Sequence, residues 1–365
     1  MVDVTATTYW DWFPAIKSAI DSAAFVAIDF EFLGLPSSGG ADRVASPSLF
    51  DDAQTRYSKI VESVRRFPPC QMGLACFREL GEGTSFEVEV FCVSLFKRMP
   101  RKVFSYSLSA VTFLANNRFD FNKFITEGIT YANRKEVDDI KQEIVEGIFD
   151  FDVLHDGLEH RIQMLKINLQ IQAVQAERGC GDARLAHRYR NPDMSPPAVL
   201  LLSRPLLIEL VRSNEYFDTD TVDQSVHPPW DRPLTRIEAA AVVYLLSHEY
   251  RNLEFHVNSA RTMLYCAEIP LIVRNSTPED LRIDQLLMSL LREISGISEI
   301  IHMLAEKKAP LIGHNSFLDL LYCYESFVDE LPDSYETWKS KFRTLFPCVI
   351  DTRKLAVFLN TSFEM

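Results

Sequence analysis

What is scarce in this chain narrows its class. None of its seven cysteines (Cys70, Cys76, Cys92, Cys180, Cys266, Cys323 and Cys348) pairs at the Cys-x-x-Cys spacing of a zinc or redox site, and the number is odd. Cys92 and Cys266 lie in apolar runs, where a free thiol behaves as a small hydrophobe. That usage suits a reducing compartment. The N-terminus lacks the basic-then-apolar order of a secretory signal. The apolar runs fall far short of the roughly 20 residues that a membrane-spanning helix needs. No internal repeat is visible. Basic charge is also in short supply: 38 Lys and Arg stand against 51 Asp and Glu, a net charge of −13. That balance argues against a broad surface that coats nucleic acid, but not against a groove that holds a few nucleotides. Two small basic clusters, Arg65 with Arg66 and Lys97, Arg98, Arg101 with Lys102, read as solvated loops before they read as phosphate sites. At this level the chain reads as a soluble, cytoplasmic protein with no membrane segment. Its 365 residues suffice for one large domain or two smaller ones.

What is present is organised around Phe25-Val26-Ala27-Ile28-Asp29-Phe30-Glu31-Phe32-Leu33-Gly34-Leu35. Four apolar residues run into two acids spaced two apart. In a strand, residues two apart point to the same face, so Asp29 and Glu31 project together. The entry from Phe25 to Ile28 reads as buried on both faces. Neighbouring carboxylates repel, and burying them is costly unless they are paired or hold a metal. A hard divalent cation with oxygen ligands answers both problems. An Asp-x-Glu pair alone is more often a solvated strand rim, so the rest of the chain must decide.

Before this strand, Trp12, Ile16 and Ile20 recur at helical spacing, with Pro14 suited to a first turn. After it, Pro36 to Pro47 is rich in Ser, Gly and Pro and reads as a loop. A short helix over Arg56 to Arg66 is followed by strands over Gln71 to Phe77 and Phe86 to Phe96, joined as a hairpin. In the second strand Val88, Val90 and Cys92 form one face. Helices are expected over Ser109 to Asn116, Asp120 to Glu127 and Glu136 to Ile148. A helical run then starts at Leu154 (Leu158, Ile162, Leu165, Leu169) and leads to Gly179-Cys180-Gly181. Breaks fall at Asn191 to Pro197 and Ser225 to Pro233. Thr235 caps a helix over Ile237 to Ser247, with strands over Leu253 to Val257 and Thr262 to Ala267. From Pro278 the chain is helical again. Pro310-Leu311-Ile312-Gly313-His314-Asn315 is a short strand, Asp319 opens a helix, and Phe346 to Leu355 is a strand running into a helix. Strand, hairpin, then helices indicates a mixed α/β layer fold.

These motifs, taken together and in order, resemble a known family. The stretch Phe25 to Leu35 is joined by Leu49-Phe50-Asp51-Asp52 with Arg56-Tyr57, and by Gln71-Met72-Gly73-Leu74. Next come Phe119-Asp120-Phe121-Asn122-Lys123-Phe124 with Gly128-Ile129, and Gly313-His314-Asn315 with Asp319. Leu331-Pro332-Asp333-Ser334-Tyr335 and Leu345-Phe346-Pro347 with Asp351-Thr352 complete the set. The set resembles the PARN (poly(A)-specific ribonuclease) family of DEDD 3′-to-5′ exoribonucleases. The region from Gly313 through Arg353 is most similar to the PARN-like domain-containing branch, which includes trimmers of piRNA precursors.

The resemblance implies an α/β fold with an RNase H-like exonuclease core, a mixed sheet flanked by helices. That core would be split over 1–150 and 269–365. A small α/β module over 151–268 would stand where the family carries a nucleic-acid-binding insert, without the family's Arg-x-x-x-His signature. Asp29, Glu31 and Asp319 would be the catalytic, metal-binding acids, holding Mg2+ or Mn2+. Phe32, Leu35, Asn315, Leu318 and Arg353 would line the groove for the terminal nucleotides of a single-stranded RNA 3′ end. Asp351 would be structural and His314 a positioning residue. A homodimer is a further implication, as is a Tudor-domain partner in the trimmer branch. One departure matters: the family's last motif, a His followed five residues later by Asp, has no counterpart after His314. The expectation is therefore a truncated chain or a catalytically impaired one, nearly inactive by itself. A C-terminal anchor to the mitochondrial surface would lie beyond residue 365. Two readings stand: an exoribonuclease, or an RNA-binding or partner subunit that keeps the groove.

Overall fold

A computed structural model describes residues 1–35, 47–48, 50–81, 85–99, 103–154, 157–163, 165–166, 199–201, 233–258, 261, 264–268 and 279–363. The readings at 36–46, Leu49, Leu169, 179–181, 191–197 and Pro278 lie outside these residues, and so do Arg101 and Lys102. The chain divides into two compact units, Met1–Gln142 with Ile294–Met365, and Glu143–Glu293.

The first unit carries strands β1 (Val2–Val4), β2 (Phe25–Phe32), β3 (Pro69–Leu80) and β4 (Ser85–Ser94). It also carries β8 (Leu311–Gly313) and β9 (Val349–Asp351), numbered so because β5 to β7 belong to the second unit. The sheet order is β1-β4-β3-β2-β8-β9. β2 runs antiparallel to β3 and parallel to β8. The β3–β4 hairpin matches the sequence expectation, whereas β1, three residues long and parallel to β4, has too little pattern to be seen there.

One face of this sheet makes the core. Val26, Ile28 and Phe30 of β2, Met72, Leu74 and Cys76 of β3, and Phe91 and Val93 of β4 are buried there. Helix α1 (Tyr9–Ser22) adds Ile16 and Ile20. Each such side chain contributes about 1.5–3 kcal/mol by leaving water. The C-terminal segment adds Ile300, Ile301, Leu304, Leu321 and Phe327.

Three details differ from the sequence reading. α1 starts at Tyr9, so Pro14 sits inside the helix rather than in its first turn, and Trp12 is 38% exposed while Tyr9 joins the buried face. Phe25 and Ala27 of β2 are half-buried, so the strand entry alternates instead of being covered on both sides. In β4 the core residues are Phe91 and Val93. Val88 is 42% exposed because both faces of the distal hairpin are open.

Gly296 shows how tightly the C-terminal segment joins the core. Its φ is +51, and an added Cβ would lie 2.1 Å from the Thr130 carbonyl oxygen. Tyr9 donates its hydroxyl to the Gly296 carbonyl at 3.2 Å.

The second unit holds a three-stranded sheet in the order β5-β7-β6, from β5 (Val199–Leu201), β6 (Leu253–Val257) and β7 (Leu264–Glu268). The helix Arg236–Glu249 opens on a capping box: Glu238 N–H donates to Thr235 Oγ1 and Thr235 N–H donates to the Glu238 carboxylate. Among the described residues no helix is long and apolar enough to cross a membrane.

Candidate active site

The site grows out of the mismatch between a long strand and a short neighbour. β8 pairs with β2 only at Val26 and Ala27. Beyond that point the edge of β2 has no strand partner among the described residues. There the helix Phe317–Cys323 takes over: Asp319 Oδ1 accepts the Phe30 N–H at 3.1 Å. An amide that would otherwise be buried and unpaired is thereby satisfied. The same contact holds the Asp319 carboxyl against the acid-bearing end of β2.

On β2, Asp29 is exposed and Glu31 half-buried, on the face opposite Ile28 and Phe30. Their cross-strand partners on β3 are Gly73 and Gln71. The register then slips by one between Glu31 and Phe32, a bulge that re-aims the chain at the strand exit. Cys70 lies at this slip and donates its thiol to the Glu31 carbonyl at 3.3 Å.

The acids feel one another. Burial, and then the Asp29 charge, raises the Glu31 pKa. Burial first, then Asp29, and more weakly Glu31, pushes Asp319 up to about 7, although the Phe30 N–H acts in the opposite sense. The charges acting on both groups come from acids, so these carboxyls repel one another. Among the described residues no three His, Cys, Asp or Glu groups are already gathered into a ligand cluster. The all-carboxylate donor set fits a hard ion such as Mg2+ or Mn2+.

The other expected site residues are arranged around this strand exit. Phe32 stacks on Tyr322, with ring centroids 4.0 Å apart and an interplanar angle of 24°. Leu35 is 44% exposed and Leu318 is half-buried against the core. Asn315 and Arg353 form a pair, Arg353 Nη1 donating to Asn315 Oδ1 at 2.8 Å. Asp351 accepts backbone N–H groups from Asn315, Ser316 and Arg353, at 3.0, 3.1 and 2.9 Å. Burial would raise its pKa, but these bonds outweigh it and hold the carboxyl below its usual range. Asp351 thus organises the turn after β8. His314 Nδ1 lies 2.9 Å from Thr352 Oγ1, and that hydroxyl donates to the Gly313 carbonyl at 3.2 Å.

Tyr322 was missed by the sequence reading. It is fully buried, stacks on Phe32, and donates its hydroxyl to the Gly34 carbonyl at 3.0 Å. The available signal was its position three residues after Asp319, on the same helix face.

A mixed sheet whose central strand carries paired acids, with a third acid delivered by a helix, defines a nuclease-like α/β core. Residues 4–364 match the CAF1 family ribonucleases, and the chain belongs to that family. The RNase H-like core implied by the motifs is therefore the fold of this chain. Among curated relatives, the "3′-5′ exoribonuclease parn-1" of Caenorhabditis elegans is 27% identical over 365 residues, 100% of this chain and 58% of its own length. The "Poly(A)-specific ribonuclease PNLDC1" of Mus musculus is 26% identical over 358 residues, 97% of this chain and 58% of its own. The "Pre-piRNA 3′-exonuclease trimmer" of Bombyx mori is 25% identical over 365 residues, 97% of this chain and 58% of its own. The chain thus spans little more than half the length of these relatives, whose names agree with the resemblance read from the motifs. A solved structure of S. pombe Pop2p, in an Mg2+- and Mn2+-bound form, covers 40% of this chain and 53% of its own, at 20% identity and a TM-score of 0.27, too slight a likeness to carry an argument.

Proposed function

We propose that this chain is the nuclease core of a metal-dependent 3′-to-5′ exoribonuclease that trims poly(A) tails or piRNA precursors. The observation that carries the reading is Asp319, held against the acid-bearing end of β2 and raised to about 7 by burial and by Asp29 and Glu31. In this reading Asp29, Glu31 and Asp319 hold Mg2+ or Mn2+. Bound there, the ions would supply Lewis-acid stabilisation and a deprotonated water as nucleophile. The rest falls to the chain's own side chains. Phe32 offers a ring face to a terminal base, while Leu35 and Leu318 close the groove with apolar surface. Arg353, aligned by Asn315, meets a phosphate or a base edge. An acidic protein that grips only a free 3′ end needs few phosphate contacts. The trimmer branch would add a Tudor-domain partner, and a homodimer is part of the same proposal; co-purification and light scattering test these two.

The deciding experiment is a gel of 5′-labelled RNA incubated with Mg2+ or Mn2+ and the protein carrying this chain. A ladder that shortens inward from the 3′ end is expected. Asp29→Ala, Glu31→Ala or Asp319→Ala should each abolish it without unfolding the protein. Internal cutting, or trimming that survives Asp29→Ala, would sink the proposal. Binding to a free 3′ end without trimming would favour the RNA-binding subunit.

A further inference from the structure

We propose that Gly73 belongs to the site: its missing side chain keeps open the space beside Asp29 in which the metal ion and the terminal phosphodiester would lie. The inference rests on the reading of the acids given above and deepens it. Gly73 stands in the middle of β3, opposite Asp29 on one side and Cys92 on the other. A glycine weakens a strand interior, because it gains no packing and loses more chain entropy on folding. Some part of the fold could demand it, as happens at Gly296, but none does. Its backbone lies outside the left-handed region. A Cβ added there would meet only the Asp29 carbonyl oxygen at 3.8 Å and the Asp29 Cβ at 4.0 Å, both ordinary contacts. Directly opposed residues of an antiparallel pair project on the same face. The absent side chain would therefore stand beside the Asp29 carboxyl, on the face that Glu31 shares. The fold accepts a Cβ at 73, and among the described residues the neighbour that Cβ would meet is Asp29. The register slip of β2 lies elsewhere and no other backbone crowds Gly73, so of the usual reasons for a strand glycine a close approach by a ligand remains.

Gly73→Ala and Gly73→Val test this against wild type and Asp29→Asn, using Mn2+ titration by calorimetry and thermal melting without metal. Both Gly73 variants should melt at or above the wild-type temperature, since less chain entropy is lost on folding. Mn2+ affinity should fall by roughly 10–100-fold in Gly73→Val, the range seen when the shell around a metal is disturbed, and by less in Gly73→Ala. Mn2+ binding lost in Asp29→Asn but intact in Gly73→Val would overturn the role of Gly73 and leave the metal reading standing. Equal affinity in wild type and Asp29→Asn would overturn the metal reading itself. A Gly73→Ala protein melting well below wild type would show that the fold needs the glycine, which also overturns the inference.

Discussion

At the scale of single residues, Asp319 carries the sharpest pH dependence. Its pKa is raised to about 7 from an ordinary value of 3.8, by burial first and then by Asp29 and Glu31. Between these values the folded protein keeps a proton that the unfolded chain has released. The stability contributed by this group is therefore fully present below about pH 4 and lost as pH rises to about 7. Without metal, the protein should melt at a lower temperature at pH 7.5 than at pH 5, and Asp319→Asn should flatten that slope in part, Glu31 and Glu325 still acting in the same direction. Mn2+ affinity should rise over the same interval, because ion and proton compete for the carboxyl. Melting curves that ignore pH between 5 and 7.5 would contradict this assignment. Phe32 gives a second expectation. Base stacking contributes about 1–3 kcal/mol per base, so Phe32→Ala should weaken binding to a short RNA with a free 3′ hydroxyl by roughly ten- to a hundred-fold. A 3′-phosphate on the RNA should weaken binding as well. Fluorescence anisotropy reads both, and indifference to both would count against a groove at this strand exit.

At the scale of elements, the turn between β8 and the Asp319 helix depends on β9. Asp351 accepts three backbone N–H groups there, two of them from Asn315 and Ser316. Asp351→Ala leaves these donors to water or to nothing, at a cost of about 1–3 kcal/mol in urea denaturation. It should also loosen the Asn315–Arg353 pair and so weaken RNA binding. A stability loss of that size, about 1–3 kcal/mol, with unchanged RNA affinity would assign Asp351 to the fold alone. Most elements were legible in the sequence because periodicity reports which face is buried: β2, the β3–β4 hairpin and the Thr235-capped helix all follow from it. Other features were not legible. β1 is too short to show a period, and β4 turns a different face to the core because tertiary packing, not alternation, decides which apolar face is covered. The acids of β2 stood out as a spacing. That Asp319 would reach the Phe30 amide, or that Gly73 would lie opposite Asp29, follows from pairing between distant segments, which no local pattern contains.

At the scale of the whole molecule, the net charge of −13 would set the mode of binding to the proposed RNA substrate. If two or three phosphates are met by basic groups, the salt dependence should be shallow, with a slope of log K against log salt of about −1.4 to −2.1. Lengthening the RNA beyond the groove should add little affinity. A steep slope that grows with RNA length would point instead to a basic track. The topology also sets the order of events during synthesis. Asp319 meets Phe30 across a sequence separation of 289 residues, and β8 must slot in beside β2 from equally far away. At about 5–20 residues per second, the ribosome needs roughly 15 to 60 s to bridge that interval. Meanwhile β2 has its neighbour β3 on one side and an open edge on the other, inviting wrong partners. The half-made chain therefore stays sticky until β8 and Asp319 arrive. A strand that arrives so late makes the nascent polypeptide a natural client for chaperones.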